Sequence, residues 1–118
     1  MTVLIVEDNA SVRQLIRSIV ANLAEKIHEC EDGAMALAAY LEYRPDVVLM
    51  DIEMKELDGI AATTQIKAAH PAANVVIVTN YDDAELREAA RNAGACGYVL
   101  KHSLLEINDF LQTLTNIH

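Results

Sequence analysis

Short continuous apolar runs alternate along this chain with segments of helical periodicity. That alternation constrains the fold more than any other feature. The runs occupy residues 2–6 (TVLIV), 46–50 (DVVLM), 74–79 (NVVIVT) and 96–100 (CGYVL). Unbroken runs rich in Val, Ile and Leu are expected of strands buried on both faces. A more polar stretch, 27–31 (IHECE), sets Ile27 and Glu29 against His28 and Cys30 and reads as an edge strand. Between the runs lie helical stripes. Residues 10–24 carry Val12, Leu15, Ile16, Ile19, Val20 and Leu23. Residues 33–43 carry Ala34, Leu37, Ala38 and Leu41, and Pro45 ends them. Residues 58–69 carry Ile60, Ala61, Thr64, Ile66 and Lys67. Residues 82–93 open on Asp82 and Asp83 and close at Gly94. Residues 103–116 open on Ser103 with Glu106 three later, the pattern of a capping box. Five β-α units in succession imply right-handed crossovers and a parallel α/β sheet with helices on both faces.

Composition narrows the function. The chain of 118 residues fits one domain, 1–118, with 53% apolar residues to build its core. A formal net charge of −9 argues against direct nucleic-acid binding, which needs clustered Lys and Arg, and suits a cation site or a basic partner. No apolar run approaches the roughly 20 residues of a membrane span. No leader peptide is visible before the first strand, so a cytoplasmic setting is the simplest expectation. Cys30 and Cys96 have no metal-like spacing.

In open α/β sheets, sites form at the carboxyl ends of the strands. Glu7 and Asp8 follow the first strand, Asp51 ends the third, Thr79 the fourth and Lys101 the fifth. Taken singly each has an ordinary reading: a helix cap for Asp8 or Asn9, a strand residue for Thr79, a solvated lysine for Lys101. Taken together they form a set. Carboxylates brought close repel unless a cation sits among them, and Mg²⁺ takes oxygen ligands from one or two carboxylates, waters and phosphates. Lys101 and Thr79 offer donors to phosphoryl oxygens. Asp51 is the candidate nucleophile, because carboxylates form acyl phosphates.

The motifs LIVEDN (4–9), VVLMDIEMKELDG (47–59), VVIVTN (75–80) and GYVLK (97–101), in this order, resemble the receiver domain of two-component response regulators over the whole chain. The resemblance implies a flavodoxin-like, doubly wound sheet in the order 2-1-3-4-5. It implies that Asp51 accepts a phosphoryl group from a sensor histidine kinase or phosphotransfer protein. It makes Glu7, Asp8, Asp51 and the backbone carbonyl of Glu53 the Mg²⁺ ligands. Thr79 and Lys101 would hold the phosphoryl oxygens, and Tyr98 would be the aromatic that moves with Thr79. Such a domain is a signalling switch, not a free-standing enzyme; it catalyses only its own phosphoryl transfer and dephosphorylation. It acts on an output domain or effector, with no contact to membrane, and can form a homodimer on phosphorylation. In that strand order Cys30 and Cys96 lie on opposite edges, on the order of 19 Å apart at ~4.8 Å per strand, so two free thiols are expected.

The sequence departs from the family pattern at named places. Lys55 follows Met54 where many receivers have Pro, and His102 follows Lys101 where many have a cis Pro; a non-Pro cis bond costs ~3 kcal/mol. GYxLK endings without Pro occur in receivers joined to helix-turn-helix outputs. Asn80 replaces a small residue, and Glu53 and Tyr81 stand at the two positions that tune phosphoryl lifetime. His102 reads as a solvated helix-start residue, and His28, His70 and His118 as unclustered. The segment 82–88 reads as a helix start with a solvated face. The end, 116–118, falls where a linker to an output would begin. Three other functions compete. An aspartyl-phosphate phosphohydrolase needs a second Asp at position 53 and a cap. A flavin carrier needs a phosphate loop where Glu7 and Asp8 stand. A pseudo-receiver would keep the fold as a protein-binding module without phosphorylation.

Overall fold

The computed structural model describes residues 1–116. Five strands, β1 (Thr2–Val6), β2 (Lys26–Cys30), β3 (Val47–Met50), β4 (Val75–Thr79) and β5 (Gly97–Leu100), form one parallel sheet in the order β2-β1-β3-β4-β5. Five α-helices connect or follow them: α1 (Ala10–Val20), α2 (Ala36–Tyr43), α3 (Gly59–Ala69), α4 (Ala84–Ala93) and α5 (Glu106–Asn116). Alternation along each strand divides the core. Leu4, Val6, Val48, Met50, Val75 and Ile77 face α2, α3 and α4. Val3, Ile5, Val47, Leu49, Val76, Val78 and Val99 face α1 and α5. Both sides of β1, β3 and β4 are covered, so their sequences are unbroken apolar runs. Each fully buried Val, Leu or Ile stabilises the fold by roughly 1.5–3 kcal/mol.

β2 is the edge strand expected from its polarity. Its alternation also holds, with Ile27 packed towards α1 and α5 and Cys30 among the α2–α4 core. Glu29 meets Arg13 at 2.7 Å and Arg17 at 2.6 Å on α1. Cys30 and Cys96 are free thiols at opposite ends of the sheet order, and burial pushes the Cys30 thiol up to about 11.

Helix ends follow local chemistry. Asn9 caps α1 by accepting from the Val12 N–H, Asp58 caps α3 through Ala61, and Asp83 caps α4 through Glu85 and Leu86. Such caps contribute about 1 kcal/mol each. Gly94, at φ 104°, ends α4 in the left-handed conformation that glycine adopts without penalty.

Four expectations about helices are corrected. The segment 33–43 begins as a 3₁₀ turn, Gly33–Met35, and buries Ala36 and Tyr40 while Ala34, Ala38 and Leu41 face solvent. Nearly every residue there is apolar, so the sequence carries no distinct stripe. On α3 the buried residues are Ala62, Thr63 and Ile66, while Thr64 is exposed. Thr63 can be buried because its hydroxyl donates to the Gly59 carbonyl at 2.7 Å. On α1, Leu15 lies outside the buried stripe, 51% exposed. The last helix begins at Glu106, not at Ser103; residues Lys101–Ser103 form a 3₁₀ turn instead. His118 and the chain end at 117–118 lie outside the described residues.

Candidate functional site

The carboxyl ends of β1, β3, β4 and β5 open into one cleft of about 770 Å³. Three of its polar residues are almost wholly buried: Glu7 at 1% exposure, Asp51 at 4% and Thr79 at 1%. The register puts them there. The Asp51 N–H donates to the Val6 carbonyl, which carries the end of β3 alongside the end of β1. Asp8, next in chain, is exposed. Carboxylate oxygens of Glu7, Asp8 and Asp51 lie within 4.8 Å of one another.

Lys101 joins this cluster from the end of β5. Its Nζ is 2.8 Å from Glu7 Oε1 and 3.2 Å from Asp51 Oδ1. Glu7 Oε1 accepts no other bond in its buried position, so the ammonium is what compensates it. Glu7 Oε2 accepts the Asn9 N–H at 3.1 Å, and Asp51 Oδ1 the N–H of Ile52 at 2.9 Å. Burial, reinforced by the charge of Glu7 and opposed by Lys101, pushes the Asp51 carboxyl up to about 7. Burial alone would depress the Lys101 ammonium, but its bonds and charge attraction to Glu7 and Asp51 outweigh that and raise it. Among the described residues no peptide bond is cis, so the one after Lys101 is trans, and the ammonium still reaches both acids.

All-oxygen donors of negative charge, converging from two strand ends, fit a hard divalent cation. Glu7, Asp8 and Asp51 are the side chains able to hold it.

Tyr81 connects the remaining candidates. Its N–H donates to Thr79 Oγ1 at 3.2 Å, its carbonyl accepts the Tyr98 hydroxyl at 2.6 Å, and its own hydroxyl donates to Glu53 Oε1 at 2.5 Å. The bond to Glu53, with some burial, raises the Tyr81 phenol above its usual range. Tyr98 is half-buried beside α4, with the Arg87 guanidinium 4.5 Å above its ring. Arg87 in turn donates to Asp82 at 2.9 Å. His102 is exposed on the 3₁₀ turn.

Two expectations about histidines change. His28 stacks on Tyr43 with ring centroids 3.7 Å apart, and His70 lies 5.1 Å from the Tyr40 ring. Both belong to packing at the far side of β2 and α2. Sequence reasoning missed Asp32, a buried acid just after β2, and Arg13, whose Nη1 donates to the Glu7 carbonyl at 2.8 Å. The Asp-Gly pair at 32–33 is a turn signal that marks Asp32; the reach of Arg13 has no signal in the sequence.

The family model described as the response regulator receiver domain matches residues 3–114. The chain is 40% identical over 99 residues to the chemotaxis protein CheY of Halobacterium salinarum, covering 84% of this chain and 82% of that relative. It is 35% identical over 111 residues to the regulatory protein AtoC of Escherichia coli, covering 93% of this chain but only 24% of AtoC. A DNA-binding response regulator of the LuxR family from Staphylococcus aureus superposes with a TM-score of 0.86 at 28% identity, covering 96% and 97% of the two chains. With a family match over residues 3–114 and an acid-lined cleft at the strand ends, the chain belongs to the receiver domains of two-component response regulators.

Proposed function

We propose that this chain, acting as a single receiver domain, takes a phosphoryl group on Asp51 from a sensor histidine kinase or phosphotransfer protein and switches conformation to control an output. The observation that carries the reading is the meeting of Lys101 with Glu7 and Asp51 in a cleft that also brings in Asp8 and Thr79. In the transfer step an Asp51 carboxylate oxygen attacks phosphorus, the phosphorus–nitrogen bond to the donor imidazole breaks, and an acyl phosphate forms. Mg²⁺, held by Glu7, Asp8, Asp51 and the carbonyl of Glu53, would supply charge neutralisation to the phosphoryl oxygens. Lys101 would exchange its bond to Asp51 for one to the phosphoryl group, and Thr79 would donate its hydroxyl there. The Thr79 hydroxyl already bonds the Tyr81 N–H, and Tyr81 bonds Tyr98, so movement of Thr79 has a route to the α4–β5 face.

The new dianionic group biases a two-state element; it does not catalyse turnover of an external substrate. Likeness to the DNA-binding response regulator of the LuxR family supports a transcriptional output carried by a separate DNA-binding domain. A cytoplasmic setting and phosphorylation-linked dimerisation belong to the same reading.

Intact mass after incubation with acetyl phosphate tests it. A labile, Mg²⁺-dependent adduct that is absent from Asp51→Asn is the expected result. No adduct, together with no Mg²⁺-dependent binding of beryllofluoride, would leave a phosphorylation-independent binding module.

A further inference from the structure

The loop between β3 and α3 carries the residues that follow Asp51, yet it lacks the proline that would stiffen it at position 55. Its base is closed by the Gly59 N–H donating to the Ile52 carbonyl at 2.9 Å. Its far side is held from another loop. Asp32, directly after β2, is 9% exposed and its carboxylate sits in a nest of backbone N–H groups. Oδ2 accepts from Glu56 at 3.0 Å, and Oδ1 from Leu57 at 3.1 Å and from Ala34 at 2.9 Å. Burial works against the ionised Asp32, but these donors outweigh it and hold its carboxyl below the usual range.

Next in chain, Gly33 makes the same junction tight. A Cβ there would collide with the Leu57 backbone carbonyl. The two loops are therefore in backbone contact and joined by charge-assisted bonds, each stronger than a neutral one.

We propose that Asp32 is a positioning residue for the phosphorylation site: by accepting the N–H groups of Glu56 and Leu57 it fixes the β3–α3 loop, and so sets the backbone carbonyl of Glu53, in place of the missing proline. This rests on the functional reading above. The hydrogen bonds of Asp32 go to backbone N–H groups, and it acts through the backbone it holds.

The test compares Asp32→Ala, Asp32→Asn and Glu31→Gln in the full chain. Three quantities are read: amide hydrogen exchange at Glu56 and Leu57, Mg²⁺ affinity from amide shifts without phosphodonor, and the rate of adduct formation with acetyl phosphate. Asp32→Ala is expected to release the loop amides and weaken Mg²⁺ binding by about 10-fold, the cost typical of losing an outer support of a metal site. Asp32→Asn keeps acceptor oxygen and folds as a milder case, with a loss between the two. Glu31→Gln removes the same charge one residue away and leaves the nest intact, so it should stay within about 2-fold of wild type in Mg²⁺ affinity. Loop amides released with Mg²⁺ affinity and rate unchanged would make Asp32 a purely structural residue. Equal weakening by Glu31→Gln would make the effect one of net charge. Either overturns the proposal. A wild-type chain that binds no Mg²⁺ overturns the functional reading and this proposal with it.

Discussion

The hydroxyl of Tyr81 donates to the Glu53 carboxylate at 2.5 Å, joining the loop after β4 to the loop after β3. Both residues line the cleft that holds Asp51. The bridge is exposed, so it contributes little to stability, on the order of 0.5–1 kcal/mol. Its consequence is on access. Tyr81→Phe keeps the ring and removes the bond. It should speed both labelling by acetyl phosphate and decay of the adduct by about 2–5-fold, equivalent to roughly 0.4–1 kcal/mol in the barrier. Intact-mass time courses check this; unchanged rates would mean the two loops do not gate the cleft.

Asp51 makes stability depend on pH with a defined sign. Its folded carboxyl titrates near 7, above the ordinary 3.8. The folded state therefore binds more protons than the unfolded one between those values, and stability falls as pH rises from about 4 through about 7. Asp51→Asn cannot ionise and keeps the Lys101–Glu7 pair. It should exceed wild type at pH 8 by on the order of 1–3 kcal/mol, and the difference should shrink towards pH 4. Urea midpoints at the two pH values give the answer, and a gap independent of pH would contradict the assignment.

Lys101 occupies the carboxylates that a divalent cation would use. Lys101→Met removes the competitor and leaves Glu7 and Asp51 facing one another. Without Mg²⁺ the variant should lose about 3–5 kcal/mol at pH 8, the cost of stranding a buried charge, and less at pH 5. Mg²⁺ affinity should rise several-fold while adduct formation falls, because the phosphoryl oxygens lose a donor. Titration calorimetry and intact mass separate the two effects. A fall in both would show that Lys101 supports the metal site instead of opposing it.

Two glycines should differ in their tolerance of a methyl group. A Cβ at Gly59 would collide with the Asp51 backbone carbonyl, which cannot yield without moving the site. A Cβ at Gly97 would meet the edge of the Phe110 ring at 2.5 Å, and a ring can swing. Gly59→Ala is expected to cost about 3 kcal/mol or more, and Gly97→Ala about 1 kcal/mol. Denaturant unfolding of both variants checks the ranking; equal losses would argue against it.

What the sequence revealed follows from how each feature is encoded. β1, β3 and β4 are buried on both faces, so their composition alone identifies them. Glu7, Asp51, Thr79 and Lys101 were legible because each directly follows or ends such a run. The phase of α2 was hidden because Ala34, Ala36, Ala38 and Ala39 are chemically alike while only the fold distinguishes their sides. Thr64 was placed on the buried stripe in place of Thr63 because the two neighbours are chemically identical, and only the packing of α3 shows which one faces the core. Asp32 and Arg13 escaped notice for a different reason. Their partners are backbone groups of other segments, and no local spacing records such contacts.

The ion contacts of Lys101 carry a consequence for assembly of the sheet. Glu7 follows β1, Asp51 follows β3 and Lys101 follows β5, so the charge balance of the cleft depends on a strand that neighbours neither β1 nor β3. Until β5 docks beside β4, the buried acids lack the ammonium that compensates them, and that edge strand is the piece that completes the site.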